Sequence, residues 1–162
     1  MIRAATPDDL DAIAALHTEA RATYYRGHLP EAEYDGPAER ARTRHAWSVA
    51  LARAEPEAAV LRAEHDGVVA GVAAYRPVDG VMTLTQLHVS PAHWRQGIGT
   101  ALHTACVTAW QHAGVRTARL QVFEHNTRAQ AFYIRHGWYP DPGNPRHGTH
   151  LELRLAVPAP DG

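Results

Sequence analysis

The chain has 162 residues, 45% of them hydrophobic, with 20% charged residues balanced to a formal net charge of −1. That length suits one domain able to bury a core, and the composition excludes an intrinsically disordered or strongly basic protein, so nucleic acid is not an expected partner. No apolar run approaches membrane-spanning length, the acidic start (Asp8, Asp9, Asp11) lacks a signal-peptide layout, and Cys106 is the only cysteine, which excludes an intramolecular disulfide. These features set the expectation of a cytoplasmic protein, with a single domain over residues 1–157 and a frayed tail over 158–162.

In chain order, Ile2 to Ala5 reads as a short strand. Thr6-Pro7-Asp8-Asp9 then opens a helix, with a capping residue, a proline at the first turn and acidic side chains at the positive end of the dipole. Leu10, Ile13, Ala14 and His17 carry that helix to about Ala20. Gly27 to Gly36 is a loop, and a second helix is expected from Pro37 to Ala54 with Ala41, His45, Val49 and Ala52 on one side.

After Pro56 the pattern changes to strands. Residues 59–64, Val68 to Tyr75 and Val81 to Val89 are joined by Asp66-Gly67 and Asp79-Gly80, both hairpin signals. Ile98, Leu102, Ala105, Cys106, Ala109 and Ala113 form a helical stripe that Gly114 can terminate. Val115 to Phe123 reads as a strand, Asn126 to His136 as a helix closed by Gly137, and Leu151, Leu153 and Leu155 alternate with Glu152 and Arg154 in a last strand. The order β-α-α-β-β-β-α-β-α-β predicts an α/β (α+β mixed) fold: a mixed, mostly antiparallel central sheet with helices on both faces.

Chemistry concentrates between Leu87 and Trp138. A strand ending Leu87-His88-Val89-Ser90-Pro91 feeds Trp94-Arg95-Gln96-Gly97-Ile98-Gly99-Thr100. A helix start carries four unpartnered N–H groups and a positive dipole end, which suits a pyrophosphate, and Gly97 and Gly99 allow the backbone to come close. Further on, Asn126 is a good N-cap, and the helix it opens carries Phe132-Tyr133 before Gly137-Trp138. A tyrosine hydroxyl is protonated at neutral pH and can donate to a departing thiolate.

These two segments, in this order, resemble the coenzyme A site of the GNAT-type N-acetyltransferase superfamily. The resemblance implies an acetyl-CoA-dependent transfer of an acetyl group to a primary amine by direct attack in a ternary complex. It implies that Arg95, Gln96, Gly97, Ile98, Gly99 and Thr100 hold the pyrophosphate, that Leu87, His88 and Val89 pair their backbone with the pantetheine arm, that Asn126 hydrogen-bonds the cofactor, and that Tyr133 is the general acid. Two departures accompany it. The pattern's Gln/Arg position falls on Trp94, and the strand position where many members place a catalytic Glu falls on Thr83, which is no base. His88, His150, Glu152 or a water chain are the substitutes open to the chain. The missing carboxylate also motivates an alternative, a non-catalytic acyl-CoA-binding sensor module.

The segment Tyr24 to Glu31 and the helix bearing Trp47 are expected to form the acceptor-side wall, where Glu31, Glu33 and Asp35 would suit a cationic amine. The twelve histidines lack the Cys or carboxylate partners of a metal site, and no metal is expected. Cys106 lies on the buried stripe, which argues against an acyl-cysteine intermediate. A homodimer is compatible with the resemblance; the acceptor amine is not specified by the sequence.

Overall fold

The structure, a computed structural model, describes residues 1–160; the end of the frayed tail expected over 158–162 lies outside the described residues. Eight strands form one sheet: β1 (Ile2–Ala4), β2 (Ala59–His65), β3 (Val68–Val78), β4 (Val81–Val89), β5 (Thr117–Phe123), β6 (Tyr139–Pro140), β7 (Arg146–His147) and β8 (His150–Ala156). The spatial order is β1-β2-β3-β4-β5-β8-β6, with β7 also paired to β8. Every described pairing is antiparallel except β4 with β5. The expected mixed, mostly antiparallel sheet is therefore present.

Both Asp-Gly turns form as read. Asp66 and Gly67 have φ of 52° and 79°, and Asp79 and Gly80 have 51° and 78°, the pair of positive values that lets a two-residue turn match the twist of its strands. The four helices are α1 (Leu10–Tyr25), α2 (Pro37–Ala52), α3 (Ile98–His112) and α4 (Thr127–Arg135). A 3-10 turn at Pro7–Asp9 precedes α1, where the Thr6 backbone N–H donates to Asp9 Oδ2 at 2.9 Å. Asn126 caps α4 as expected, its Oδ1 accepting from the Ala129 N–H at 3.2 Å.

Side chains alternate across β3 and divide the molecule into two layers. Val72 and Ala74 pack with Ile13, Leu16 and Trp47 of α1 and α2. Ala73, between them, faces the larger core with Leu102, Cys106 and Trp110 of α3 and Tyr133 of α4. The helices thus cover both faces.

Two expectations change. Helix α1 runs to Tyr25, beyond Ala20, because Arg21 is buried and fully engaged: its Nε donates to the Tyr34 carbonyl (2.8 Å), one Nη to Glu39 (3.2 Å) and the other to Thr43 Oγ1 (2.8 Å). Helix α2 turns Thr43 and Trp47 inward, whereas Ala41, His45, Val49 and Ala52 face solvent. A polar threonine is the buried residue there because it satisfies Arg21, a reason that lies on another helix.

The start of α3 comes close to the sheet at Gly71. A Cβ on Gly71 would sit 2.9 Å from both Ile98 Cγ2 and Leu102 Cδ1 and 3.3 Å from the His88 carbonyl oxygen. Gly71→Ala is expected to lower stability by about 1–3 kcal/mol through overpacking, measurable by urea denaturation.

Candidate active site

Strand β4 pairs with β5 only at Met82–Ala118 and Thr83–Arg119. Beyond Thr83 the two strands part. β4 stays with β3 through Val89–Gly71, while β5 stays with β8 through Phe123–His150. From Leu84 onward one edge of β4 therefore lacks a strand partner, and its backbone groups face the wedge. Thr83 sits at the last joined pair, where its Oγ1 accepts from Arg119 Nε (3.2 Å) and donates to the Val81 carbonyl (2.9 Å). It is a structural residue.

Two clefts occupy the wedge and meet in its middle. The larger, about 580 Å³, is lined by Leu87, His88 and Val89, by Arg95 and Gly97 through Thr100, and by Asn126 and Tyr133. Ten of the eleven residues assigned from sequence therefore share one cavity; Gln96 alone is not part of its lining. The chain enters α3 through two left-handed residues separated by Gln96: Arg95 has φ of 66° and Gly97 of 79°. A Cβ on Gly97 would meet no atom within 4 Å, so the cradle is open on that side. At Gly99 a Cβ would lie 3.4 Å from the Phe132 ring, an ordinary packing distance, so this second glycine sits where α3 meets α4 without the space requiring it. Thr100 Oγ1 lies 3.3 Å from His136 Nε2.

Trp94, which stands at the pattern's Gln/Arg position, makes two contacts that its neighbours in the chain do not announce. Its indole N–H donates to the Val89 carbonyl (3.1 Å), and the Arg128 guanidinium lies 3.3 Å from its ring centroid. Such a stack holds a cation beside an aromatic face. Arg128 thus reaches the Trp94 ring from α4. Burial and the nearby Arg95 both lower its pKa. Arg26 and Arg135 join these two arginines in the lining, and no carboxylate does. A chain of net charge −1 therefore carries a strongly cationic cleft, suited to a polyanion. The open cradle, the unpaired β4 edge and this cationic lining together fit coenzyme A.

The second cleft, about 390 Å³, opens between the parted strands and shares Tyr24, Leu87, His88, Asn126, Ala129 and Tyr133 with the first. Tyr133 is 8% exposed and stands at the seam. Burial, with a smaller contribution from Cys106, raises its pKa above the ordinary tyrosine value, so the hydroxyl stays protonated. Burial pushes the Cys106 thiol up to about 12, which leaves almost no thiolate for covalent chemistry.

Of the substitutes for a base, His88 lies at the seam and His150 lines only the second cleft. Glu152 is buried outside both, with His147 Nε2 3.4 Å from its carboxylate. His88 Nε2 donates to Gln86 Oε1 (2.6 Å), and its ring stacks on His17 with centroids 4.3 Å apart. His17 accepts at Nδ1 from the Trp47 indole N–H (3.0 Å), which makes it a neutral tautomer. Trp47 supports the wall from behind rather than lining it. Tyr24, Tyr25 and His28 line the clefts, but Glu31, Glu33 and Asp35 do not; Asp35 is instead bound to Arg40 at 2.6 Å. The expected acidic contribution from this segment is absent from the lining.

Burial lowers the pKa of His17 and of His103 to about 4, and that of His88 well below 6.5. In the unfolded chain all three bind protons near pH 6.5, so between that value and about 4 the unfolded state holds more protons. Their stabilisation is complete above pH 6.5 and is lost as pH falls toward 4. A melting temperature clearly lower at pH 5 than at pH 7 is the expected result.

Among the described residues no group of three or more His, Cys, Asp or Glu is placed to hold a metal ion, and no helix is long and apolar enough to cross a membrane.

A parted sheet with a backbone cradle at a helix start defines an acyl-coenzyme A type of site on an α/β fold. The sequence profile of the Acetyltransferase (GNAT) family matches residues 13–138, and the chain belongs to that family of acetyl-CoA-dependent acyltransferases. It is 34% identical over 109 residues to the N-alpha-acetyltransferase 40 of Saccharomyces cerevisiae, a match over 59% of this chain and 38% of that protein. The match therefore spans less than half of the yeast relative. Among solved structures, the PaiA N-acetyltransferase of Thermoplasma acidophilum in complex with coenzyme A is similar at a TM-score of 0.86 and 18% identity, covering 96% of this chain and 98% of that one. The putative acetyltransferase YncA of Salmonella typhimurium, solved with acetyl-CoA, is similar at a TM-score of 0.68 and 20% identity, covering 100% and 98%. At these identities the likeness is one of fold.

Proposed function

We propose that the chain transfers the acetyl group of acetyl-CoA to a primary amine by direct attack within a ternary complex, with Tyr133 as general acid. The observation that carries this reading is the position of Tyr133, a protonated hydroxyl at the seam of a cationic cleft and a second, largely aromatic one. Gly97 to Thr100, with Arg95, would hold the pyrophosphate on backbone N–H groups and the α3 dipole. Leu87 to Val89 would pair with the pantetheine arm along the free edge of β4, and Asn126 would border it. The acceptor would enter from the second cleft. The likeness to a yeast N-alpha-acetyltransferase makes α-amines natural first candidates.

Attack requires a neutral amine, because an ammonium has no lone pair. With no carboxylate in either lining among the described residues, the proton leaves through water or to the His88 imidazole. The leaving sulfur takes its proton from Tyr133, which a nearby water can resupply. A reducing, cytoplasmic setting suits the free and buried Cys106. The non-catalytic sensor reading is the weaker one, since family membership makes the chain an acyltransferase.

Chromatographic quantification of free coenzyme A tests the proposal. Release that depends on an added amine supports it. Tight binding of acetyl-CoA, by calorimetry, without release on any α-amine, small amine or peptide would overturn it.

A further inference from the structure

The acceptor-side cleft is unusual for a pocket that receives amines. Among the described residues none in its lining is an aspartate or glutamate, and its one permanently charged member is the Arg21 guanidinium. The carboxylates nearby are committed elsewhere. Glu39 is bound to Arg21 (3.2 Å) and Arg42 (2.7 Å), and Glu124 to Arg146. The wall is aromatic: Tyr24 and Tyr25 meet edge-on at 4.6 Å, Tyr25 and Phe123 at 4.8 Å, and the stacked His17–His88 pair closes the opposite side. Burial keeps both imidazoles neutral, so they add no charge of either sign to the wall.

We propose that this cleft selects an acceptor whose reacting amine is its only positive charge and whose apolar or aromatic body lies against Tyr25 and Phe123. The inference deepens the transferase reading and rests on it. The reacting amine enters neutral and needs no counter-ion. A second ammonium, as on a diamine or polyamine, would be taken from water into a cleft with no anion to meet it and with Arg21 in its lining. An aromatic body instead gains edge-to-face contacts and covers apolar surface.

The discriminating substitution is Gln121→Glu. Gln121 lines this cleft, is exposed, and makes no side-chain hydrogen bond among the described residues, so an isosteric carboxylate there supplies the missing anion; because Gln121 faces Glu152 across β5 and β8, the melting temperature of the variant is read beside its kinetics. With saturating acetyl-CoA, 2-phenylethylamine is expected to exceed 1,4-diaminobutane and spermidine in kcat/KM by roughly tenfold or more, and Gln121→Glu to narrow that ratio by a similar factor. Higher kcat/KM for the diamine or spermidine, or a ratio unmoved by Gln121→Glu, would overturn the inference and leave the transferase standing. Thermal shift of the coenzyme A complex reads the same preference without turnover. If no amine releases coenzyme A but 2-phenylethylamine alone raises the melting temperature, the transferase reading fails while the charge selection holds; equal stabilisation by the diamine overturns the selection too.

Discussion

Tyr133→Phe is expected to lower kcat by about 10²–10⁴-fold, the range for removing a positioned general acid, while acetyl-CoA affinity and melting temperature stay nearly unchanged. The ring is buried against Phe132 and Trp138, with centroids 5.5 and 5.9 Å away, and phenylalanine keeps those contacts. The hydroxyl has no side-chain partner among the described residues and lies where the two clefts join. Its removal therefore touches chemistry rather than packing. Because burial raises the tyrosine pKa, the wild-type rate should climb with pH as the amine loses its proton and show no descending limb at the ordinary tyrosine value near 10. Steady-state kinetics of both forms across pH, with calorimetry for binding, check each part. A Tyr133→Phe enzyme with wild-type kcat would remove this residue from the mechanism.

Gly97→Val should act on binding instead. At φ of 79° a β-branched residue is strained by roughly 1–2 kcal/mol, and its side chain would project into space that no protein atom fills, beside the cradle. Strain and obstruction both act where the pyrophosphate would rest, so a loss of about 10–100-fold in acetyl-CoA affinity is expected, with each 1.4 kcal/mol worth tenfold. Gly99→Ala makes the useful contrast. Its new methyl would make ordinary contact with Phe132 and Val89, 3.4 and 3.6 Å away, and should leave both thermal stability and affinity close to wild type. Calorimetric titration with acetyl-CoA beside thermal melts separates the two glycines.

What could be read from the sequence follows the range of the interactions involved. The hairpins at Asp66-Gly67 and Asp79-Gly80 and the Asn126 cap are local, and they form where the residue pattern puts them. The expected α3 stripe holds at Ile98, Leu102 and Cys106, but His103 and Trp110 are buried with them and Ala113 lies exposed beyond the helix end. The glycine turn and Tyr133 were legible as a spaced pair, and the fold brings them to one cleft. The rest depends on partners distant in the chain. Thr43 is buried because Arg21 needs an acceptor, so periodicity on α2 alone chose the wrong face. Strands β6 and β7 have two residues each and exist because β8 offers its edges. Trp94 looked like a defect in the pattern until Arg128 came over it from α4. The His17–His88 stack joins α1 to β4 across the sheet, and no spacing in the sequence announces it.

The most direct measurement follows the acetyl group itself. Acetyl-CoA labelled with carbon-13 in the acetyl moiety is incubated with the protein and a peptide or aromatic amine, and the acceptor is then examined by mass spectrometry. If the reaction is as proposed, the label moves to the amine nitrogen in proportion to the coenzyme A released, and Tyr133→Phe slows both together. Label that remains in acetyl-CoA, or appears only as free acetate, despite demonstrated binding, would contradict amine transfer at this site.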